Sequence, residues 1–357
     1  MKVVITAPSL DEDKNVSGIS TLARNLIDRQ AADYVHFEAG RRDGDAADAG
    51  WIARQTILPF RFFGALRSAQ PDVVHINTAF IPLAIVRDTS LAAAARLAHR
   101  PVLLHIHGGP YVMNEIKNQA LAAAARNLIK MSAGAIVFSD GEARSLLKRY
   151  TGTKLYVLPN AIPTDNIPET ERDSAEKTII FFGRLHESKG LAHIIDAMRV
   201  LKGQGFKFKY VCYGDGPEKQ SFIAGMTAIL GDKFSFRGVA KGAAKWKALS
   251  EADIFFQPSR DEGLPLALLE AMAAGCVPVM SASGAVADVI EDGRNGFLIE
   301  AGNTIETVGR LKMLLSESLN GWNELRDNAR ATVREKYDFT NYVERLRKIY
   351  GEIAAKK

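Results

Sequence analysis

The sequence predicts an α/β protein built from two doubly wound, parallel-sheet domains. Three observations carry that prediction. Short runs such as KVVITA, GAIVFS, TIIFFG and VPVMSA are almost continuously apolar, which marks strands buried on both faces. Amphipathic stretches such as GLAHIIDAMRVLKGQG lie between such runs, and strand–helix alternation builds a parallel sheet. The pattern occurs twice, on either side of a polar, proline-bearing stretch at 160–177, NAIPTDNIPETERDSAEK. A chain of 357 residues also exceeds one ordinary core.

Taken in order, the first domain (1–165) is expected to hold the strands KVVITA, DVVHIN, PVLLHIH, GAIVFS and KLYVLPN. Residues 166–177 read as linker. The second domain (178–339) follows with TIIFFG, KYVCYG, FSFRG, IFFQPS, VPVMSA and GFLIE. The last stretch, 340–357, reads as a helix. Its Tyr342, Leu346, Ile349, Tyr350 and Ile353 recur at three- and four-residue steps as one apolar face, expected to pack back near the first domain.

Composition bounds the function. Apolar residues make up 47% and charged residues 24%, a globular balance. No run of apolar residues is long enough to span a bilayer. MKVVITAPSL reads as a first strand, lacking the longer apolar core of a signal peptide. Cys212 and Cys276 sit in or beside apolar runs, without cysteine or histidine at ligand spacing. They read as reduced core residues of a cytoplasmic protein, not a metal site. Net charge is +5, and residues 51–130 alone carry nine Lys/Arg against three Asp/Glu. Such a basic half suits nucleic acid, anionic lipid or phosphorylated substrates.

The most informative stretch is DEGLPLALLEAMAAGC, 261–276. Pro265 suits a helix start and Gly275 its end. Glu262 then lies in the loop beyond a strand, and Glu270 lies in an otherwise apolar helix. Helical side chains lean toward the N-terminus, so Glu270 points back toward Glu262. A buried carboxylate needs a partner. An internal arginine or lysine is one candidate. A hydroxyl-rich ligand is another, because a carboxylate accepts two hydrogen bonds from a cis-diol. The N–H groups at Gly263 and Leu264 suit a phosphate. In FFGRLHESKG, Arg184 and Lys189 occupy the loop after a strand, where ligands bind in parallel sheets. They are either solvated loop charges or a metal-free clamp for a diphosphate. YGDG matches a dinucleotide fingerprint only in part, since Lys219 stands where the third glycine belongs.

GRLHESKG followed by EGLPLALLE resembles glycosyltransferase family 4, the retaining, metal-independent sugar transferases of GT-B fold. The resemblance runs from Val3 to about Tyr350 and implies two Rossmann-like domains facing each other across a cleft. It implies that Arg184 and Lys189 bind the donor diphosphate, Glu262 the transferred sugar and Glu270 the ribose. The backbone at Gly263 and Leu264 would touch phosphate or sugar, Gly238 and Val239 would line the base pocket, and Gly214 would lie beside the nucleotide.

In the first domain, PVLLHIHGGPY places His105 and His107 on one strand face. Three roles fit: satisfied structural histidines, metal ligands together with His75, or contact with the transferred sugar. The last follows from the resemblance, since the family has a histidine at the place of His107. Many relatives carry threonine at the place of His105. Gly18, opening a helix in NVSGIS, would let the backbone approach a phosphate. Family members usually have two adjacent glycines there, and this chain has Ser17-Gly18. WIARQTILPFRFFGALRSAQ interleaves Trp51, Phe60, Phe62 and Phe63 with Arg54, Arg61 and Arg67. It reads as a helix packed on the sheet with arginines outward, as a segment lying on an anionic membrane, or as one stacking on nucleic acid.

The expected function is therefore sugar transfer, with retention, from a nucleoside-diphosphate (NDP) sugar to an acceptor hydroxyl. The acceptor would be a lipid-linked or polysaccharide precursor glycan, for instance on a polyprenyl diphosphate. No cofactor or metal is called for, and no nucleic acid. The protein would work in the cytoplasm or at the inner face of the membrane. The alternatives are a sugar phosphorylase or nucleotide-sugar epimerase of the same fold, or a non-catalytic nucleotide-sugar-binding partner.

Overall fold

The computed structural model describes residues 1–41, 49–165, 167–168, 176–317 and 319–355. Most of the expected linker, 166–177, lies outside them, as do the side chains of Trp51 and Ile52. By its contacts the chain divides into two compact units, residues 1–160 with 340–357, and residues 161–339.

The first unit carries six parallel strands: β1 (Lys2–Ala7), β2 (Asp33–Glu38), β3 (Val73–Thr78), β4 (Val102–Ile106), β5 (Gly134–Val137) and β6 (Leu155–Val157). Their order is β2-β1-β3-β4-β5-β6, so the connections reverse direction between β1 and β3. β3, β4 and β5 are buried at every position, as their continuous apolar runs require. β2, DYVHFE, is absent from the expected strands. It is an edge strand, half exposed along its length, and its charged ends and histidine hide it from an apolar-run reading. Leu58, Phe62 and Leu66, four residues apart, anchor the helix Ala49–Ala69 in the core, and Phe62 packs on Phe37. The last helix, Phe339–Ala354, buries Tyr342, Leu346, Ile349, Tyr350 and Ile353 as its periodicity predicts.

The second unit repeats the plan with β7 (Thr178–Phe182), β8 (Lys209–Tyr213), β9 (Phe234–Phe236), β10 (Ile254–Gln257), β11 (Val277–Ser281) and β12 (Phe297–Ile299). Their order, β12-β11-β10-β7-β8-β9, puts the reversal between β7 and β10. Loops that diverge from such a switch point leave a crevice beyond the strands' C-terminal ends. Cys212 and Cys276 are free and buried in this unit, and burial pushes the Cys212 thiol up to about 12.

Candidate functional site

In the second unit Arg184, Lys189 and Glu262 lie on the loops that leave β7 and β10, the strands on either side of the switch. After β7 the chain turns through Gly183, Arg184 and a 3-10 turn at Glu187–Lys189. Gly190 closes that turn at φ +72°. A Cβ there would lie 2.1 Å from the Pro258 carbonyl oxygen, so only glycine lets the turn rest on the end of β10. Lys189 is thereby brought to Glu262, with Nζ 2.5 Å from Oε1. Gln257, the last residue of β10 and fully buried, donates from Nε2 to the same oxygen at 2.8 Å and to Ser259 Oγ at 3.1 Å. Among the described residues nothing donates to Oε2 of Glu262.

Glycine also joins the loops after β7 and β8. A Cβ on Gly214 would lie 1.8 Å from the Gly183 carbonyl oxygen. The Gly214 N–H donates to Gly238 O at 2.8 Å, and the Leu185 N–H to Asp215 O at 2.9 Å. Three loops are thus tied together at one end of the sheet, with Val239 exposed beside them. Arg184 is exposed there, and its guanidinium pairs with no described residue.

Glu270 lies on the helix Leu266–Ala273 and is 6% exposed. Lys245, on the helix Gly242–Ser250, donates to its Oε1 at 2.6 Å. Its Oε2 takes no hydrogen bond from the described residues. The protein-cation reading of Glu270 thus holds for one oxygen, Oε1. The backbone before this helix is fixed by the loop after β11, where the Ala285 N–H donates to Gly263 O at 2.9 Å. Leu264 is buried.

The first unit brings its histidines together at the ends of β3 and β4. His105 is fully buried, and the partly exposed His107 stacks on it with ring centroids 4.0 Å apart. Phe138 stands edge-on to both rings. His75 Nε2 lies 3.2 Å from His105 Nδ1, and His75 Nδ1 lies 2.6 Å from the hydroxyl of Tyr350 on the last helix. Tyr350 in turn meets the Tyr34 hydroxyl at 3.1 Å. Burial holds His75 and His107 down to about 3, and lowers His105 well below the ordinary histidine value. All three rings are neutral at physiological pH. Both His75 nitrogens are spent on Tyr350 and His105, so His75 has none left for a metal. Among the described residues no group of three or more His, Cys, Asp or Glu is placed to hold a metal ion.

His107 Nε2 meets Asn77 Oδ1 at 2.6 Å. Gly18 is the first residue of the helix Gly18–Asp28, whose N-cap is Ser17. The Ser17 hydroxyl accepts from Ser20 N–H at 3.3 Å, so the residue replacing the family's first glycine caps the helix. The helix Ala49–Ala69 packs on the sheet with its arginines outward, the first of its readings. Phe62 is core, whereas Phe60 is 78% exposed among the exposed Arg54, Arg61 and Arg67.

Sequence reasoning missed Asn77, Gln257 and Lys245. Asn77 and Gln257 share a signal: each is a polar amide at or near the C-terminal end of a strand buried throughout. Lys245 offers none.

Two family models divide the chain between them. The glycosyl transferase 4-like domain matches residues 3–161, and glycosyl transferases group 1 matches residues 164–336. The Arabidopsis thaliana sulfoquinovosyl transferase SQD2 is 30% identical over 47% of this chain and 32% of its own length. The phosphatidyl-myo-inositol mannosyltransferase of Mycobacterium leprae is 25% identical over 79% of this chain and 74% of its own. The crystal structure of Anabaena Alr3699/HepE in complex with UDP-glucose superposes with a TM-score of 0.78 at 17% identity, covering 99% of this chain and all of that one. With two six-stranded parallel sheets and both family halves in order, the chain belongs to glycosyltransferase family 4 and is a sugar transferase of GT-B fold.

Proposed function

We propose that this protein transfers a sugar from an NDP-sugar to an acceptor hydroxyl, with retention of anomeric configuration and without a metal. The observation that carries the reading is the pair of lysine–glutamate bridges in the second unit, one of them at the C-terminal end of β10. Each leaves one carboxylate oxygen without a donor among the described residues, and Arg184, in the loop after β7, pairs with none of them. The open oxygen of Glu262 would accept from the transferred sugar, and that of Glu270 from the ribose. The two bridges cancel in charge, so Arg184 supplies the net positive charge for a diphosphate. An ammonium has three donors, and Lys189 spends one on Glu262, leaving two for the leaving group. As the glycosidic bond breaks, negative charge grows on the diphosphate oxygen. Arg184 and Lys189 would stabilise it, and the departing phosphate would take the acceptor's proton. Neutral His107 would face the sugar without adding positive charge where an oxocarbenium-like centre develops.

The acceptor we propose is lipid-linked, with the first unit touching an anionic membrane. Phe60 and Ile57 on one helix and Leu83 and Val86 on the next are exposed large apolar side chains, and Arg54 and Arg61 border them. The mycobacterial relative is by name a phosphatidyl-myo-inositol mannosyltransferase, which supports a lipid acceptor. Among the described residues no helix is long and apolar enough to cross a membrane.

The test is thermal stabilisation by UDP-, GDP-, ADP- and dTDP-sugars in the presence of EDTA. A nucleotide at one hundred times its Kd adds about 2.7 kcal/mol. NMR of the product with the stabilising donor then reads the anomeric configuration. No stabilisation by any of them, stabilisation abolished by EDTA, or an inverted product each overturns the part of the reading it addresses. Sugar release that requires inorganic phosphate would instead identify a phosphorylase.

A further inference from the structure

We propose that Asn77 is a positioning residue that fixes His107 as its Nε2–H tautomer, presenting Nδ1 as a neutral acceptor for a hydroxyl of the transferred sugar. The inference rests on the reading of His107 as a sugar contact and adds what that contact must be.

A row of polar groups crosses three neighbouring strands at the β1/β3 switch. Thr6 lies on β1, Asn77 on β3, and His107 directly follows β4. The Thr6 carbonyl oxygen can only accept. It lies 2.7 Å from the Asn77 amide, so Nδ2 must be the atom that faces it. The reverse orientation would set two acceptor oxygens against each other at that distance. Oδ1 therefore points to His107, and at 2.6 Å from Nε2 it can only accept. Nε2 then carries the proton. Since burial keeps the ring neutral, Nδ1 is left with its lone pair.

Each part of the row is held independently. The Asn77 backbone N–H donates to Thr6 Oγ1 at 3.1 Å, and Asn77 is nearly fully buried. The His107 N–H donates to Thr78 O at 2.8 Å, pinning its backbone to β3. Stacking on His105 and the Phe138 edge hold the ring plane. No described residue donates to Nδ1, and His107 is the partly exposed member of the three histidines. An acceptor there distinguishes a hydroxyl from an ether or a carbonyl oxygen, which has no proton to give.

Long-range 1H–15N correlation on the 15N-labelled full chain reads the tautomer directly. His107 is assigned among the seven histidines by its loss in His107→Gln. The expected result at neutral pH is a neutral ring protonated on Nε2. A ring protonated on Nδ1, or on both nitrogens, overturns the proposal without any variant. Asn77→Leu should mix the two tautomers and lower kcat about tenfold, the worth of one aligned hydrogen bond, while the donor KM changes less than about threefold. An unchanged tautomer or unchanged kcat in Asn77→Leu also overturns it. Should the tautomer be as stated while His107→Gln transfers sugar at the wild-type rate, the sugar contact is refuted, and the NMR result identifies that reading as the part that failed.

Discussion

Lowering the pH from 7.5 to 5.5 should destabilise the first unit far more than the second. His75, His105 and His107 are neutral in the fold because burial opposes their charge, with His75 and His107 held near 3 against an ordinary 6.5. Well above pH 6.5 folded and unfolded chains both carry neutral rings, and the cluster has no proton-linked cost. Below it the unfolded chain takes up protons that the folded chain refuses, so stability falls as pH falls toward the folded values. Each such histidine contributes a slope of about 1.4 kcal/mol per pH unit, so three remove about 4 kcal/mol by pH 5.5. That is a large share of the roughly 5–15 kcal/mol of a typical domain. The groups around the cluster do not compensate. Tyr34 and Tyr350 are pushed upward by burial and stay protonated, and the nearby charge is the cation of Arg347. Buried Asp88 works in the opposite sense, its pKa being raised, and would trim the slope at the acid end. In the second unit only His193, among the described histidines, is lowered. Hydrogen exchange by mass spectrometry separates the units: peptides from β3 and β4 should lose about a thousandfold of protection, corrected for intrinsic rate, and those from β10 and β11 markedly less. His105→Leu should remove about a third of the first unit's slope. Equal protection of the first unit at both pH values, or a slope indifferent to His105→Leu, would refute the account.

Three further outcomes follow from the second unit and the surface helix. Glu262→Gln should lower transfer by about a hundredfold or more, measured as kcat with the stabilising donor, because the amide replaces an acceptor oxygen and frees Lys189. Lys245→Met and Glu270→Gln should each destabilise, but the double variant by less than their sum. The coupling should be about 1–3 kcal/mol from urea unfolding, and strict additivity would show that the bridge contributes nothing. Phe60→Ser with Arg61→Glu should reduce sedimentation with phosphatidylglycerol vesicles several-fold and leave donor stabilisation unchanged. Equal sedimentation would remove the membrane reading.

Much of the fold was legible because a strand buried on both faces has no polar alternative, so its apolar run is continuous. β2 escaped because an edge strand meets solvent, and DYVHFE carries as many polar as apolar residues. Glu270 was legible through contrast, a charge in a helix otherwise apolar from Leu264 to Ala274. Its partner was not. Lys245 and Lys247 flank Trp246 in the same helix, yet Lys245 is 18% exposed and bonded while Lys247 is 75% exposed. That difference depends on which face of the helix meets the helix carrying Glu270, twenty-five residues away. Asn77 has the same origin. Its partners Thr6 and His107 lie 71 and 30 residues away and become neighbours only through strand order.

The two bridges also explain how such a site can fold before its substrate arrives. A carboxylate enclosed without a partner would cost several kcal/mol, and a site designed only around its ligand would bear that cost whenever empty. Here each glutamate spends one oxygen on a lysine, so the two pairs are neutral and their side chains are oriented by 2.5 and 2.6 Å contacts. On the proposed reading, the second oxygens would accept hydroxyls without either bridge opening. Because the pairs cancel, the proposed site would owe its net positive charge to Arg184, exposed and unpaired among the described residues. Replacing Arg184 should weaken nucleoside-diphosphate binding and leave folding stability unchanged, whereas replacing either lysine should disturb both.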